Sequence, residues 1–407
     1  MNELIQWTAA LVRAVAWLVA CVVLLSASAL GADPPAAQGD AARVPLEKML
    51  PELHLLEPVW RTNTVYRESV VFVQDAAGGD ALGKLLFPAE EILAVHRADG
   101  QATFQSGRDF NRASDKRGLL LTADSRIPRL AAADLFPAKD APRSIPHKTG
   151  DPARHVLFDN GHWFHDRQVE VTYRHAIAPW PAAPAFAGAM LPKTLARLRE
   201  HRKLTLAVSG DSISQGYNAS GYSQAPPWMP PFPDLVAAQL RDSYATEVEL
   251  HNRAIGGWSV GLGLKDLDAL LAAKPNLVII AYGMNDVGGR NPEAFRSTIA
   301  AMLEKIHLSS SEIEVILVAT MLGNADWVHT PREMFAKYRD ALASLTGPGV
   351  ALADLTRLWQ ELLKHKREVD LTGNGVNHPS DFGHRLYAQV ILALLVEPTA
   401  QPPANCR

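Results

Sequence analysis

The chain has 407 residues, of which 47% are hydrophobic and 20% charged, and a formal net charge of −3. This length points to more than one domain, and the near-balanced charge, with no basic run, excludes a nucleic-acid partner held through its phosphates. The two cysteines, Cys21 and Cys406, offer neither an internal disulfide framework nor a thiolate metal cluster.

Residues 8–32 are apolar apart from Arg13 and end in small residues, Ala27-Ser28-Ala29 or Leu30-Gly31-Ala32. An apolar core closed by small residues predicts a signal peptide over 1–32, hence export to the periplasm or outside the cell, with no stable membrane contact after cleavage. Two alternatives stand beside it: an uncleaved anchor over 14–32, and a lipoprotein at Cys21. Residues 33–46 are Pro-, Ala- and Gly-rich and read as a linker.

From 47 to 175 the texture is short β-like runs between turn clusters: Ser69–Val73, Ile92–His96, Gly118–Thr122, His155–Phe158 and Val169–Tyr173. This predicts a small all-β domain, sandwich or jelly-roll-like. His155, His162, His165 and His175 fall close together, but their spacing matches no ligand pattern, so no metal is expected. Trp60, Tyr66, Trp163 and Phe164 read as core and not as a sugar platform. Residues 176–203 form a second Pro/Ala-rich linker that ends in a short helix over Leu191–His201.

Beyond residue 204 apolar runs alternate with helical patterns. The runs are Leu204–Val208, Val248–Leu250, Leu277–Tyr282, Val315–Ala319 and Val350–Ala353. The helices are expected at Pro233–Asp242, Leu264–Ala273, Pro292–His307, Pro331–Leu345, Leu355–Lys364 and Phe382–Val396. Such alternation requires crossover connections, and predicts a parallel sheet between two helical layers, a three-layer α/β/α domain over 204–396. Residues 397–407 are a tail.

Four segments lie where loops reach one edge of that sheet. Gly210-Asp211-Ser212 follows the first strand, and Asn252 to Ser259, with Gly256-Gly257, follows the second. Gly283-Met284-Asn285-Asp286 follows the third, and Asn377-His378-Pro379 precedes the last helix. Each alone also reads as an ordinary loop or cap. Together they supply a nucleophile, a base, a backbone donor and an amide donor, the parts needed for acyl transfer.

In order and spacing these blocks resemble the SGNH, or GDSL, hydrolase family over residues 204–396, roughly half the chain. The resemblance implies a flavodoxin-like sheet and ester hydrolysis without metal or cofactor. It also implies Ser212 as nucleophile, His378 as base, and Ser212, Gly257 and Asn285 as the oxyanion hole. The β-rich region in front is similar to the architecture of bacterial carbohydrate O-acetylesterases, which implies a small acyl ester on a polysaccharide as substrate. Alternatives are a lipase-like esterase, and an acyltransferase or glycan-binding member.

The sequence departs from the family in one place. Gly375 stands where an aspartate is usual, three residues before His378. Asn374 or a backbone carbonyl would then orient the imidazole, or Asp370 or Asp381 would substitute for the acid. The Pro-rich stretch 225–233 offers Trp228, Met229 and Phe232 either as a rim to the site or as a loop packed on its own domain.

Overall fold

The protein is described by a computed structural model covering residues 44–75, 78–177, 179–181 and 183–398. The expected signal peptide, with its alternatives as anchor or lipoprotein, and most of the tail lie outside these residues. Among the described residues no helix is long and apolar enough to cross a membrane.

The N-terminal strands are β1 (Thr64–Gln74), β2 (Ala81–Lys84), β3 (Glu91–Arg97), β4 (Phe110–Arg112), β5 (Gly118–Leu121), β6 (Arg129–Ala131), β7 (Ser144–Ile145), β8 (Val156–Leu157) and β9 (Gln168–Arg174). Seven of them join in one mainly antiparallel sheet of order β3-β9-β1-β2-β5-β4, with β6 parallel to β1; β7 and β8 pair separately. β1 belongs to both halves of the sheet. Its first part pairs with β9 across a register shift between Val65 and Glu68, and its last residues pair with β2 and β6. An extra residue of this kind bends a strand and re-aims its side chains. A helix over Leu46–Leu53 precedes the sheet.

The second sheet contains β10 (Leu204–Gly210), β11 (Val248–Asn252), β12 (Leu277–Ala281), β13 (Glu314–Ala319) and β14 (Val350–Asp354), all parallel, in the order β11-β10-β12-β13-β14. β12 and β13 are buried along their whole length, as expected for strands covered on both faces. The strand order reverses between β10 and β12, which opens a crevice at their carboxyl ends, where open α/β sheets bind ligands. Helices Phe232–Tyr244 and Asp381–Leu395 pack against each other; Val260–Leu271, Pro292–Ser309 and Arg332–Ala343 pack in series.

The described residues, within 44–398, belong to a single compact unit. One core cluster contains Val70, Phe72, Val171 and Tyr173 of the antiparallel sheet together with Leu206, Ile279, Leu386 and Tyr387. Within 176–203, Leu191, Leu195 and Leu198 are buried in that same core.

Polar groups weld the two sheets. Lys366 Nζ donates to Glu68 Oε1 at 2.6 Å and to the Ser69 carbonyl at 3.0 Å, with both side chains fully buried. The other Glu68 oxygen accepts from Tyr173 OH at 2.6 Å, and the Val71 N–H donates to Asp370 Oδ1 at 2.7 Å. Helix Asp381–Leu395 is buried on every side. Its polar residues are answered from the N-terminal region: Arg385 donates to the Tyr66 and Arg67 carbonyls, and Gln389 to the His54 carbonyl.

Removing one partner of a buried ion pair leaves the other charge stranded, at a cost of about 3–5 kcal/mol. Lys366→Ala is therefore expected to destabilise the whole unit by that order in a urea titration. Tryptophan fluorescence and far-UV circular dichroism should report one coincident transition; separate transitions for the two sheets would contradict the shared core.

Candidate active site

Ser212 opens a single-turn helix, Ser212–Gln215, directly after β10. Asp211 caps it, its Oδ1 accepting from the Ile213 N–H at 3.0 Å. The tight turn lifts Ser212 Oγ to the sheet edge and leaves its own N–H without a partner among the described residues, as at any helix N-terminus. His378 lies in the buried loop before helix Asp381–Leu395, and its Nε2 is 2.9 Å from Ser212 Oγ.

The loops after β11 and β12 are tied to the same place. The Gly256 N–H donates to Gln215 Oε1 at 2.7 Å, and Asn285 Nδ2 donates to the Trp258 carbonyl at 2.9 Å. Asp286 accepts from the Val260 N–H and the Gly283 N–H, each at 3.1 Å. Gly257 is exposed with φ +81°, where a side chain would be strained, and its N–H has no partner among the described residues. Asn285 keeps its second amide hydrogen. The four blocks thus meet through hydrogen bonds between their loops, with unspent donors from Ser212, Gly257 and Asn285.

Neither Asp370 nor Asp381 hydrogen-bonds His378. Asp370 is occupied by the Val71 and Arg367 N–H groups. Asp381 accepts from the Ser220 N–H at 2.7 Å, and its other oxygen is buried without a partner. The second imidazole nitrogen, Nδ1, instead faces two amides: Asn218 Oδ1 at 2.9 Å and Asn374 Nδ2 at 3.0 Å. Asn374 was among the residues expected to orient the ring. Asn218 was not, although it ends the same stretch as Ser212; its signal was a short polar side chain six residues beyond the serine.

With no anion beside it, burial pushes His378 down to about 3, and nearby His384 adds to that. The imidazole is therefore neutral at neutral pH, with an unprotonated nitrogen to face the Ser212 hydroxyl. Burial raises Asp211 to about 7, with a further push from Asp286, which burial raises to about 6.

Tyr217 stands edge-on to His378, with ring centroids 5.0 Å apart, and stacks on Tyr222 at 4.6 Å. In the stretch 225–233, Met229 and Phe232 are buried against their own domain, while Trp228 is half-buried. The N-terminal histidines do not converge. His162 meets Asp166, His165 bonds the Pro226 carbonyl, and His175 bonds the Ala176 carbonyl. Among the described residues no three His, Cys, Asp or Glu side chains are grouped to hold a metal ion. Trp163 and Phe164 touch edge to face, with Phe164 fully buried.

Residues 208–386 match the GDSL-like lipase/acylhydrolase family. Over that segment, less than half of the chain, the protein is similar to GDSL-like ester hydrolases. Among solved structures, a two-domain esterase active on acetylated mannans, co-crystallized with mannopentaose, is 22% identical with a TM-score of 0.42, over 54% of this chain and 57% of its own. The chain thus spans little more than half the length of that two-domain relative. An acetyl-xylooligosaccharide esterase from Geobacillus Stearmophilus is 20% identical with a TM-score of 0.41, over 49% of this chain and 97% of its own. A lipase/acylhydrolase from Enterococcus faecalis is 25% identical with a TM-score of 0.36, over 46% of this chain and 93% of its own. No curated protein matches the chain.

The raised carboxyls make a prediction about pH. The ordinary aspartate value is 3.8, so between about pH 4 and 7 the folded state holds more protons at Asp211 than the unfolded state does. Stability from this group is complete below that window and is lost as pH rises through it. Asp211→Asn keeps an oxygen for the Ile213 N–H and abolishes the ionisation. Calorimetry should find the variant melting above wild type at pH 8 and close to it at pH 4; equal melting temperatures at pH 8 would refute the assignment.

Proposed function

We propose that the protein is an exported serine esterase that removes small acyl groups, acetyl foremost, from a carbohydrate, through Ser212 and His378 with an oxyanion hole. The observation that carries the reading is the 2.9 Å contact between Ser212 Oγ and His378 Nε2 at the head of the crevice. His378 takes the Ser212 proton as Oγ bonds the ester carbonyl carbon. The N–H groups of Ser212 and Gly257 and the Asn285 amide receive the oxyanion as it develops. The imidazolium then returns its proton to the departing alcohol as the C–O bond breaks, leaving an acyl-enzyme. Water attacks that intermediate with His378 again as base, and the acid is released with Ser212 restored.

Support for a sugar comes from the Tyr217–Tyr222 stack beside His378, with Tyr222 39% exposed, a flat aromatic face suited to the C–H side of a pyranose ring. Export is supported by the apolar stretch 8–32 of the sequence. A lipase-like reading is favoured by Ile255, 42% exposed two residues before Gly257, and by Leu262 on the following helix. Those apolar side chains would serve a longer acyl chain.

Hydrolysis of p-nitrophenyl esters from acetate to decanoate separates the two readings. Turnover highest on acetate and falling with chain length is expected; a preference for decanoate would select the lipase-like reading. Ser212→Ala should abolish turnover with the fold intact. Asn285→Ala should lower kcat by about 10²–10³-fold, the usual loss for one oxyanion donor.

A further inference from the structure

We propose that Asn218 is the positioning residue for His378, and that backbone carbonyls of the N-terminal region fix its orientation, so that a neutral Ser212–His378–Asn218 relay stands in place of a carboxylate triad. The proposal rests on the Ser212–His378 reading above.

The orientation of the Asn218 amide follows from its surroundings. Its Nδ2 lies 2.9 Å from the Gly161 carbonyl and 3.3 Å from the carbonyls of both Asn160 and Gly373. Only the nitrogen can donate to carbonyls, so the oxygen must be the atom 2.9 Å from His378 Nδ1. An amide oxygen only accepts; the proton of the neutral ring therefore sits on Nδ1, and the lone pair on Nε2 faces Ser212. The other neighbour, Asn374, also faces Nδ1, its nitrogen 3.0 Å away, and a hydrogen given from it would favour the opposite tautomer. Asn374 Oδ1 accepts from the N–H groups of Val376, Asn377 and His378 at 2.9–3.1 Å, and its nitrogen donates to Asn377 Oδ1 at 2.9 Å.

Replacing a triad aspartate by asparagine is ordinarily damaging because the amide can turn its nitrogen to the ring and select the wrong tautomer. Here three carbonyls, two of them from the N-terminal region, forbid that turn. The backbone agrees, since Asn218 has φ +62°, a region asparagine enters more readily than most residues. The same region also fills the usual place of the acid. At Gly375, with φ +82°, any Cβ would collide with the buried Phe164 ring and lie 2.7 Å from the Leu157 carbonyl oxygen. Among the described residues the ionisable groups around the imidazole are His384 and the Tyr217 phenol, and no carboxylate bonds it.

The test combines kinetics with ¹⁵N NMR of histidine-labelled protein at pH 7, with His378→Ala used to assign the resonances. Wild type and Ser212→Ala should both carry the His378 proton on Nδ1, as a slowly exchanging downfield resonance. Asn218→Ala should lose that resonance and lower kcat roughly 10²-fold, with KM within about twofold, in a variant whose circular dichroism shows it still folded. Wild-type kcat in a folded Asn218→Ala, or a proton found on Nε2 in wild type, overturns the proposal. If Asn218→Ala does not fold, the tautomer measured in wild type and Ser212→Ala decides alone. Appreciable turnover by Ser212→Ala would overturn the serine mechanism, and the tautomer would still judge the relay.

Discussion

The constraint on which the rest depends is the burial of one continuous stretch, Val369 through Leu395, which holds the base-bearing loop and the last helix. A surface helix turns one face to solvent, and its polar residues go there. This helix has no such face, because the parallel sheet and its neighbouring helix cover one side and the antiparallel sheet covers the other. Its His384, Arg385 and Gln389 therefore need partners inside the protein, as does the buried Lys366 just ahead of it. Each finds a carbonyl or a carboxylate: Tyr217, Tyr66, Arg67, His54 or Glu68. An unpaired buried donor costs on the order of 1–3 kcal/mol, so these contacts make the N-terminal region a condition of the last helix being where it is.

That dependence reaches the chemistry through position. His378 is placed by a loop whose carbonyls and amides are spent on the N-terminal side: the Asn374 carbonyl accepts from the Asp159 N–H, and Gln168 donates to the Val369 and Thr372 carbonyls. A carboxylate in such a dry loop would carry a large desolvation penalty unless a cation or several N–H groups met it. The amides of Asn218 and Asn374 avoid that penalty. The Asn218 oxygen meets Nδ1 with no net charge, at the expense of a weaker field for stabilising an imidazolium.

Much of the α/β half was legible in the sequence. The five buried parallel strands announce themselves as apolar runs, and all five lie within a residue or two of where those runs placed them. The N-terminal half was less readable. β2, β4, β6 and β7 are two to four residues long, too short for alternation to register, and β1 owes its course to a bulge that no pattern marks. The stretch 176–203 hides Leu191, Leu195 and Leu198, core residues, in a composition typical of linkers. The serine, the histidine and the donor loops were visible because each sits at a strand end or before a helix. The partner of the imidazole was not. Asp370 and Asp381 lie near His378 in sequence, but their oxygens are claimed by Val71 and Ser220, hundreds of positions away in the first case. Asn218 is distant in sequence from His378, and its orientation is set by carbonyls of residues 160 and 161, which only the folded chain brings near.

A neutral relay also shifts the balance between the two jobs of the base. In the proposed mechanism His378 first accepts a proton from serine and then gives one to the leaving alcohol. General acid and base efficiency move in opposite directions with the pKa of the group. An imidazole held low by burial, with amides for neighbours, is a poorer acceptor and a stronger donor. The first job can borrow help from the oxyanion donors, which lower the barrier to tetrahedral addition however the proton travels. Expulsion of the leaving alkoxide has no such help, because the oxyanion hole grips the carbonyl oxygen and not the leaving one. A strongly acidic imidazolium is suited to that second step, so an amide partner is compatible with a leaving group as poor as an unactivated hydroxyl.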